Sequence, residues 1–331
     1  MKTKLKQVIE SMGGQGIDSM IVLKPENIRY LTGFRPTSSS ILILKDEPVL
    51  LASKIDREAA SENSMVNLQV YKKFEEVKEL LVGKIGVENS MTVETFQKLS
   101  DFNTVTTDLV EVSRAVKSSW EVKNIEKALD IAEKSLLELD FVGTEVELAA
   151  QLEYNMKLNG SERPSFETIM ASGSRTSLPH GSPTTNKVES PILIDWGAVY
   201  NNYSSDTTRT IIETERQEEI FNIVLDAQQT AIKAIKPGIK SCTIDNVARE
   251  VITEYGYGDA FIHSTGHGVG LEIHEKPSFS KNDDTLLEKG MVVTVEPGIY
   301  IEGEFGVRIE DMILVGNHTK IINKIKTKLS I

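Results

Sequence analysis

The pattern of apolar positions predicts two long helices near the middle of the chain. Apolar residues repeat at helical spacing on one stripe, formed by Val122, Ile125, Leu129, Ala132 and Leu136. Ser118 and Glu121 form a capping-box pair just before this stripe, and Gly143 is predicted to end the helix. Thr144 and Glu147 repeat the capping pattern and predict a second helix that runs to about residue 158. Helices with one apolar face are expected to cover a sheet.

The chain before these helices is predicted to contain shorter helices and strands. A helical pattern over residues 5–12 is predicted to stop at Gly13 and Gly14, and short strand-like apolar runs then alternate with helical ones. This alternation predicts a small α/β domain over residues 1–115. Residues 116–331 are predicted to form a second domain, so the whole chain is of the α+β class.

A hairpin in the second domain carries two aspartates. Strands are predicted near residues 192–194 and 207–212, on either side of a polar turn at Asn201 and Asn202. Asp195 and Asp206 lie on opposite arms and are predicted to be opposite or diagonal neighbours on one face. Buried carboxylates repel each other strongly unless a cation lies between them. The pattern therefore favours a cation site over two solvated turn residues.

A second hairpin, over residues 291–315, carries two glutamates. Glu296 and Glu310 are equally distant from Gly303 in the predicted turn, so we expect them to face each other unless Pro297 introduces a bulge. Helices followed by a hairpin with paired carboxylates thus occur twice. This weak internal repeat predicts a pseudo-symmetric domain.

Tyr300 and Arg308 fall on the same predicted face as the two glutamates when positions are counted by twos. Two interpretations are open for this pair. The side chains either contact a substrate or support the neighbouring carboxylates, or they pack as an ordinary structural pair.

Histidines concentrate in the segment FIHSTGHGVGLEIHE, residues 261–275. Three of the five histidines in the chain lie there: His263, His267 and His274. Glycines on both sides of His267 permit positive φ and the close approach of other groups, so His267 is predicted on an irregular segment. His180 lies in residues 171–186, whose glycine, serine and proline content predicts a loop. For His180, an ordinary exposed histidine is the alternative interpretation.

Composition narrows the classes of function. The formal net charge of −12 argues against nucleic acid or an anionic membrane as a partner. The single cysteine, Cys242, excludes an intramolecular disulfide and a cysteine metal cluster, and it fits a reducing compartment. No apolar run has the length of a signal peptide or a bilayer span. We therefore expect a cytoplasmic protein.

Four carboxylates and one imidazole predict a site for two divalent metal ions. The residues are Asp195, Asp206, His267, Glu296 and Glu310. Four negative charges balance two divalent ions, whereas a single ion would leave two charges uncompensated. Oxygen and nitrogen donors favour Mn, Co, Fe or Zn over Mg. Two such ions, about 3.5–4 Å apart, hold a water as a bridging hydroxide nucleophile and stabilise an oxyanion, which is the chemistry of hydrolysis.

Several motifs together resemble the metallopeptidases of the pita-bread fold, which include methionine aminopeptidase, aminopeptidase P and proline dipeptidase. The motifs are SLPHG, LIDWGAVYNNYSSDTTRT, HSTGHGVGLEIHE, TVEPGIY and GVRIEDMILV, and they span most of residues 116–316. PENIRYLTGF resembles the smaller domain of the branch with aminopeptidase P, proline dipeptidase and creatine amidinohydrolase. Methionine aminopeptidases lack that domain, and creatine amidinohydrolases lack the metal ligands. The resemblance implies a pita-bread domain after a creatinase-like α/β domain.

The resemblance also implies roles for the five ligands. Asp195 would bind one ion and His267 the other, while Asp206 and Glu310 would bridge both. Glu296 would be a ligand and the general base.

The resemblance also implies roles for the predicted residues around the ligands. His180, His263 and His274 match histidines that hold the substrate, stabilise the intermediate and carry a proton to the leaving nitrogen. His263 and Arg308 are candidates to hold a proline carboxylate, and Tyr300 would contact the substrate or support the site.

We expect a proline dipeptidase that hydrolyses Xaa-Pro dipeptides with a metal-bridging hydroxide. Manganese or cobalt are the leading metals, and zinc or iron are the alternatives. The alternative functions are an Xaa-Pro aminopeptidase acting on longer peptides, a non-catalytic binding protein on the same fold, and metal-free amidinohydrolysis. The resemblance further implies a homodimer in which each N-terminal domain helps to wall the neighbour's active site.

Overall fold

The computed structural model describes residues 2–329 and divides into two compact units between Arg114 and Ala115. The N-terminal unit contains a six-stranded mixed sheet. Its strands are β1 (Ser19–Val22), β2 (Ser40–Leu44), β3 (Val49–Ala52), β4 (Asn67–Val70), β5 (Ile85–Glu88) and β6 (Thr104–Thr107). Their order is β4-β3-β2-β1-β5-β6. The helices are α1 (Lys2–Gly14), α2 (Pro25–Thr32), α3 (Arg57–Asn63), α4 (Glu75–Lys78), α5 (Val93–Gln97) and α6 (Leu109–Ala115).

The end of α1 agrees with the prediction. The helix ends at Gly14, the second of the two glycines, and the chain turns at Gly16, which has a φ of +64°. Glycine weakens a helix, and a left-handed backbone position does not continue it.

The segment PENIRYLTGF contains α2 and its two ends. Pro25 occupies the first turn, where its missing N–H is harmless, and Gly33 closes the helix with a φ of +89°. The buried Glu88 carboxylate accepts the backbone N–H groups of Leu23 and Lys24, at 2.7 and 3.0 Å. The motif thus forms a helix that is fixed at its start by a neighbouring strand.

The C-terminal unit contains two helix pairs, and its strands form four sheets. The helices are α7 (Ser119–Leu137), α8 (Glu145–Leu158), α9 (Glu215–Ala234) and α10 (Ser241–Glu254). The strands are β7 (Ile169–Ser172), β8 (Ile192–Trp196), β9 (Val199–Tyr200), β10 (Tyr203–Ser204), β11 (Thr207–Ile211), β12 (Gly266–Gly268), β13 (Glu275–Phe279), β14 (Val292–Val295), β15 (Gly298–Ile301), β16 (Phe305–Arg308), β17 (Asp311–Leu314) and β18 (Lys320–Ile321). The predicted repeat is present, because α7 and α8 precede the β8/β11 hairpin and α9 and α10 precede the β14/β17 hairpin.

These helices pack against two larger sheets. One has the order β11-β8-β7, and the other has the order β13-β12-β14-β17-β18. Side chains of α7 and α8 form one apolar core with β7 and β8, and side chains of α9 and α10 form another with β14 and β17. The buried Trp196 fastens the first core by donating its indole N–H to the carbonyl of Ala132 at 2.8 Å. The first helix pair therefore covers a sheet, as predicted, and the second pair covers another.

Both starts and one end of the first helix pair match the prediction, since α8 ends at Leu158 as expected. Ser118 with Glu121, and Thr144 with Glu147, form complete capping boxes. However, α7 ends at Leu137, and Gly143 lies in the following loop, so the predicted end was wrong. The reason is that Leu139 is buried in the core, which takes the chain out of the helix earlier.

Both hairpins have the register that brings their carboxylates together. In the first, Asp195 pairs with Thr208, so Asp206 is its diagonal neighbour; Asn201 and Asn202 make the turn with φ values of +49° and +66°. In the second, Val295 pairs with Asp311 and Gly298 pairs with Arg308. The register is therefore the same on both sides of Pro297, without a bulge, and it places Glu296 opposite Glu310.

Two predicted irregular segments contain regular structure. Residues 171–172 belong to β7, and residues 173–177 form a 3₁₀ helix before the loop that carries His180. His267 lies in β12, whose pairing with β13 shifts register after that residue. A Cβ atom on Gly266 would lie 2.1 Å from the carbonyl oxygen of Thr294, and one on Gly268 would lie 2.3 Å from that of Lys276. The glycines are thus required for close strand contact.

We predict that Gly266→Ala lowers the free energy of unfolding by at least about 1–3 kcal/mol, because the added methyl group overlaps a backbone carbonyl that cannot move freely. Thermal unfolding measured by calorimetry tests this. Gly13→Ala is the control, since no atom lies within 4 Å of its Cβ position and alanine favours a helix. An unfolding temperature equal to that of the parent in Gly266→Ala would contradict the close strand contact.

Candidate metal centre

The two hairpins meet at one bridge between their strands. Thr208 of β11 pairs with Glu310, which precedes β17. The Thr208 hydroxyl also donates to Oε2 of Glu310 at 2.8 Å. Asp195, Asp206 and Glu310 are all buried. The bridge therefore gathers carboxylates that are about 100 residues apart in the chain into one buried space.

His267 presents one ring nitrogen to this space. Its Nδ1–H donates to the carbonyl of Gly268 at 3.0 Å, so Nε2 is the ring nitrogen that faces the carboxylates. Nε2 lies 3.5 Å from Oδ2 of Asp206 and 3.3 Å from Oε1 of Glu296. Ligand atoms of Asp206, His267 and Glu310 all lie within 4.8 Å of one another. A metal-binding histidine requires this orientation, in which one ring nitrogen donates to a carbonyl and the other faces the ligand cluster.

Electrostatics make this cluster unfavourable without a cation. Burial raises the pKa of Asp206 and Glu310 well above the usual range, and neighbouring carboxylates raise each further. Burial also raises the pKa of Asp195, although Arg308 opposes that effect. Among the described residues, Oδ1 of Asp195 and Oε1 of Glu310 are buried without a hydrogen-bond partner. Divalent cations bound here would contact the carboxylate oxygens that lack hydrogen-bond donors. The residues therefore fit such ions.

Arg308 is enclosed beside these carboxylates. Its guanidinium donates to Oδ2 of Asp195 at 2.7 Å, to the Thr208 hydroxyl at 3.1 Å and to the carbonyl of Pro179 at 3.1 Å. Burial opposes its charge, but neighbouring Tyr300 and acidic groups raise the pKa of Arg308 above its usual value. The side chain is 3% exposed. This placement favours the structural alternative for Arg308, as an ion pair that orients Asp195.

Tyr300 and His263 continue this chain of hydrogen bonds. Arg308 donates to the Tyr300 oxygen at 2.7 Å, and the Tyr300 hydroxyl lies 2.9 Å from Nε2 of His263. Because Nδ1–H of His263 donates to the carbonyl of Ser264 at 2.8 Å, Nε2 accepts a hydrogen bond from the Tyr300 hydroxyl. Burial lowers the pKa of His263 and raises that of Tyr300 to about 12. Both groups are therefore neutral near pH 7.

His180 and His274 are exposed, unlike the carboxylates. The ring of His274 packs edge-on against His267, with centroids 4.4 Å apart. Burial lowers the pKa of His274, and nearby His267 and His180 lower it further. The structure thus brings all ten predicted residues into one neighbourhood, with a buried acidic floor and exposed histidines above it.

Comparison with known proteins agrees with this geometry. Residues 123–317 match the model of metallopeptidase family M24, and residues 4–119 match the creatinase/prolidase N-terminal domain. The chain belongs to metallopeptidase family M24. Membership implies divalent metal ions and peptide-bond hydrolysis, and it agrees with the expected fold of a creatinase-like domain followed by a pita-bread domain.

Similarity to individual members of the M24 family extends over whole chains. The chain is 42% identical to an Xaa-Pro dipeptidase of Pyrococcus furiosus, covering 99% of this chain and 100% of that protein. The crystal structure of a prolidase from Pyrococcus horikoshii superposes with a TM-score of 0.94 at 40% identity, over 99% and 100% of the two chains. An X-Pro aminopeptidase structure from Thermotoga maritima gives a TM-score of 0.85 at 33% identity, over 98% and 99%.

Some residues that build this M24 site were missed in the sequence. Thr208 and Thr294 each lie two positions from a predicted ligand, on the same strand face. Thr294 accepts the backbone N–H of His267 at 3.0 Å and donates to Oε1 of Glu296 at 3.2 Å. Counting by twos in both directions would have found them.

Glu145 was also missed, and no local signal marks it. Its buried carboxylate accepts the backbone N–H groups of Ser172 and Thr184, at 2.8 and 2.9 Å, and the Nε–H of Arg175 at 3.2 Å. These bonds join both ends of the segment that carries His180. Glu145 therefore holds the exposed histidine loop in place.

We predict that Glu310→Gln leaves the metal-free protein at least as stable as the parent but reduces its stabilisation by Mn²⁺. The amide still accepts from Thr208, and burial already disfavours the lost charge. In the parent, Mn²⁺ at about 100 times its Kd should add about 2.7 kcal/mol. Thermal unfolding with and without Mn²⁺ measures this. Glu302→Gln, at an exposed position in the same hairpin, is the control. Equal Mn²⁺ stabilisation in both variants would remove Glu310 from the ligand set.

Proposed function

We propose that this protein is a metal-dependent Xaa-Pro dipeptidase, which hydrolyses the bond before proline in dipeptides. The observation that carries the proposal is the grouping of Asp206, His267 and Glu310, whose ligand atoms all lie within 4.8 Å of one another. Two buried carboxylate oxygens at this place, on Asp195 and Glu310, lack hydrogen-bond donors. The similarity to a protein named Xaa-Pro dipeptidase, over the full length of both chains, supports the choice of substrate.

Two divalent ions, manganese or cobalt, are the proposed cofactors. Asp195, Asp206, His267, Glu296 and Glu310 would hold them, and four carboxylates balance the charge of two such ions. When bound, the ions would activate a water nucleophile and polarise the scissile carbonyl. Zinc and iron suit the same donor set and remain the alternatives.

Glu296 is the proposed general base. Its side chain is 17% exposed, so it lies between the buried floor and the open side of the site. The Thr294 hydroxyl donates to Oε1 and so fixes the orientation of the carboxylate. Glu296 would take a proton from the attacking water.

The exposed histidines are the proposed groups for substrate contact and proton delivery. An Xaa-Pro dipeptide carries a carboxylate on proline, and its leaving nitrogen must gain a proton. His180 and His274 are exposed and lie beside the cluster, so they can reach both groups. His263 has both ring nitrogens engaged, and four of the five Arg308 N–H groups have acceptors. Tyr300, His263 and Arg308 would therefore position Asp195 while His180 holds the carboxylate.

We predict hydrolysis of an Xaa-Pro dipeptide with a kcat/KM at least about tenfold above that for the matching Xaa-Pro-Yaa tripeptide, measured by release of the N-terminal residue. Preference for the tripeptide would identify an Xaa-Pro aminopeptidase, a function favoured by the similarity to the Thermotoga maritima enzyme.

Controls for this assay address the remaining alternatives. Glu296→Gln should lose activity while keeping its fold, because an amide cannot accept the proton. Loss of activity on exhaustive chelation is expected; activity that survives it would indicate metal-free amidinohydrolysis. An inactive but well-folded, metal-loaded parent would indicate a binding protein.

The cytoplasm is the proposed compartment, supported by the single thiol of Cys242, which is unpaired. No helix within residues 2–329 is both long and apolar enough to cross a membrane. The net charge of −12 argues against nucleic acid or an anionic membrane as a partner.

A homodimer is the proposed assembly. What supports it is an apolar stripe on the outer face of α8, with Val146 43%, Tyr154 58% and Leu158 68% exposed, and Ala150 also exposed. These residues recur every fourth position, which forms one ridge on a helix. An antiparallel pair of such helices would place Ala150 of one copy opposite Tyr154 of the other, and Glu147 opposite Lys157. The ridge is thus complementary to itself in size and charge.

We predict that Tyr154→Glu converts a dimer into a monomer in sedimentation velocity at micromolar concentration, because it places two charges in the apolar ridge. Tyr255→Glu, at a comparably exposed tyrosine just after the end of α10, should leave the dimer intact. A parent that sediments as a monomer would contradict the assembly. A dimer that tolerates Tyr154→Glu would contradict this surface.

A further inference from the structure

Arg209 lies behind the metal centre, on the opposite side of β11 from Thr208. Neighbouring residues of a strand point to opposite faces, so Arg209 faces away from the carboxylate cluster. Its side chain is fully buried. A buried guanidinium is costly unless its charge is paired and its N–H groups have acceptors.

The guanidinium binds both sides of the bridge between the two hairpins. Nη1 donates to the carbonyls of Glu310 at 2.6 Å and Thr208 at 2.9 Å. Nη2 donates to Oδ1 of Asp311 at 2.7 Å, and Oδ2 of Asp311 accepts from Nε2 of Gln228 at 3.0 Å. One side chain therefore joins the backbone of the first hairpin to that of the second, at the residue proposed to ligate both ions.

Two further acceptors of Arg209 are backbone carbonyls that follow β18. Nε donates to the carbonyl of Lys326 at 3.0 Å, and Nη2 donates to that of Ile325 at 3.3 Å. This part of the chain has no regular structure after β18. The C-terminal segment, defined as residues 322–326, thus completes the hydrogen bonding of a buried cation.

Asn323 and Glu133 hold the C-terminal segment against the hairpins. The Asn323 side chain donates to the Thr207 hydroxyl at 3.1 Å and accepts the backbone N–H of Met312 at 2.7 Å. The Glu133 carboxylate accepts the backbone N–H of Lys324 at 2.9 and 3.1 Å. Asn323, like Arg209, therefore bonds to both hairpins.

We propose that Arg209 and the C-terminal segment form a positioning element for the metal centre, which fixes the relative register of the two hairpins. A shift of one residue at the Thr208–Glu310 bridge would turn Glu310 away from the cluster. The planar fork of arginine prevents this shift because it bonds at once to Glu310, Thr208 and Asp311. Without the C-terminal segment, two of its N–H groups would be buried without acceptors, and the fork would lose its orientation.

The proposal predicts that metal binding depends on residues that contact no ligand side chain. It rests on the proposed function only in taking Glu310 as a ligand. Asn323→Ala should weaken Mn²⁺ binding about 10- to 100-fold, the range seen when groups that orient metal ligands are removed. Arg209→Lys keeps the charge but loses the fork, and it should weaken binding at least as much.

The experiment measures Mn²⁺ affinity by calorimetric titration and the visible absorption of bound Co²⁺ in the parent and both variants. The Co²⁺ spectrum reports ligand geometry, so a positioning role predicts a changed spectrum as well as weaker binding. Thermal unfolding of the metal-free proteins is measured in parallel. Lys324→Ala is the matched control, since its ammonium pairs at the surface with Asp130 and its backbone bonds remain.

Each outcome separates this inference from the proposed function. Asn323→Ala could bind Mn²⁺ with the affinity of the parent and give the same Co²⁺ spectrum. That result, with or without a lower unfolding temperature, would mean that Asn323 has a merely structural role, and it would overturn the inference. Asn323→Ala decides the test even if Arg209→Lys fails to fold. A parent that binds neither ion would overturn the proposed metal centre itself. A parent that binds ions but does not cleave Xaa-Pro dipeptides would overturn the proposed function and leave the inference standing.

Discussion

Mutual repulsion among buried carboxylates is the constraint on which the catalytic unit depends. Burial raises the pKa values of Asp195, Asp206 and Glu310, and neighbouring carboxylates raise each of these pKa values further. A chain would not keep such a cluster for stability, because apolar residues of similar size would cost less to bury. The fold tolerates it by supplying Arg308 on one side and by leaving carboxylate oxygens free for cations on the other.

The surrounding structure holds this unfavourable cluster in place. Two sheets carry the ligands, and separate helix pairs cover these sheets with their own apolar cores. Polar groups then join the parts: Thr208 at the bridge, Arg209 behind it, and the hydrogen-bonded chain from Arg308 through Tyr300 to His263. The buried ligands lie on strands or directly before them, whereas the exposed His180 lies on a loop that Glu145 ties at both ends. The division suits an enzyme whose metal ligands must be fixed and whose substrate must enter.

Local patterns in the sequence predicted much of this arrangement. Capping boxes marked the starts of α7 and α8 because their hydrogen bonds join residues three positions apart. Equal distances from a turn predicted the facing of Glu296 and Glu310, and Pro297 did not disturb it. The failures also have a local cause. Gly143 was taken as a helix end, but the burial of Leu139 ended the helix earlier. The glycines around His267 permit close strand contact, which the pattern alone could not distinguish from a loop.

The sequence by itself determined the family, the candidate ligands and the register inside each hairpin, since these depend on residue type and on short spacings. Only the tertiary structure decided how the two hairpins meet, that Arg308 is enclosed among hydrogen-bond acceptors, and that Ile325 and Lys326 bind Arg209. The physical reason is distance along the chain. Partners about 100 residues apart leave no periodic signal, because their meeting depends on how whole sheets and helices pack.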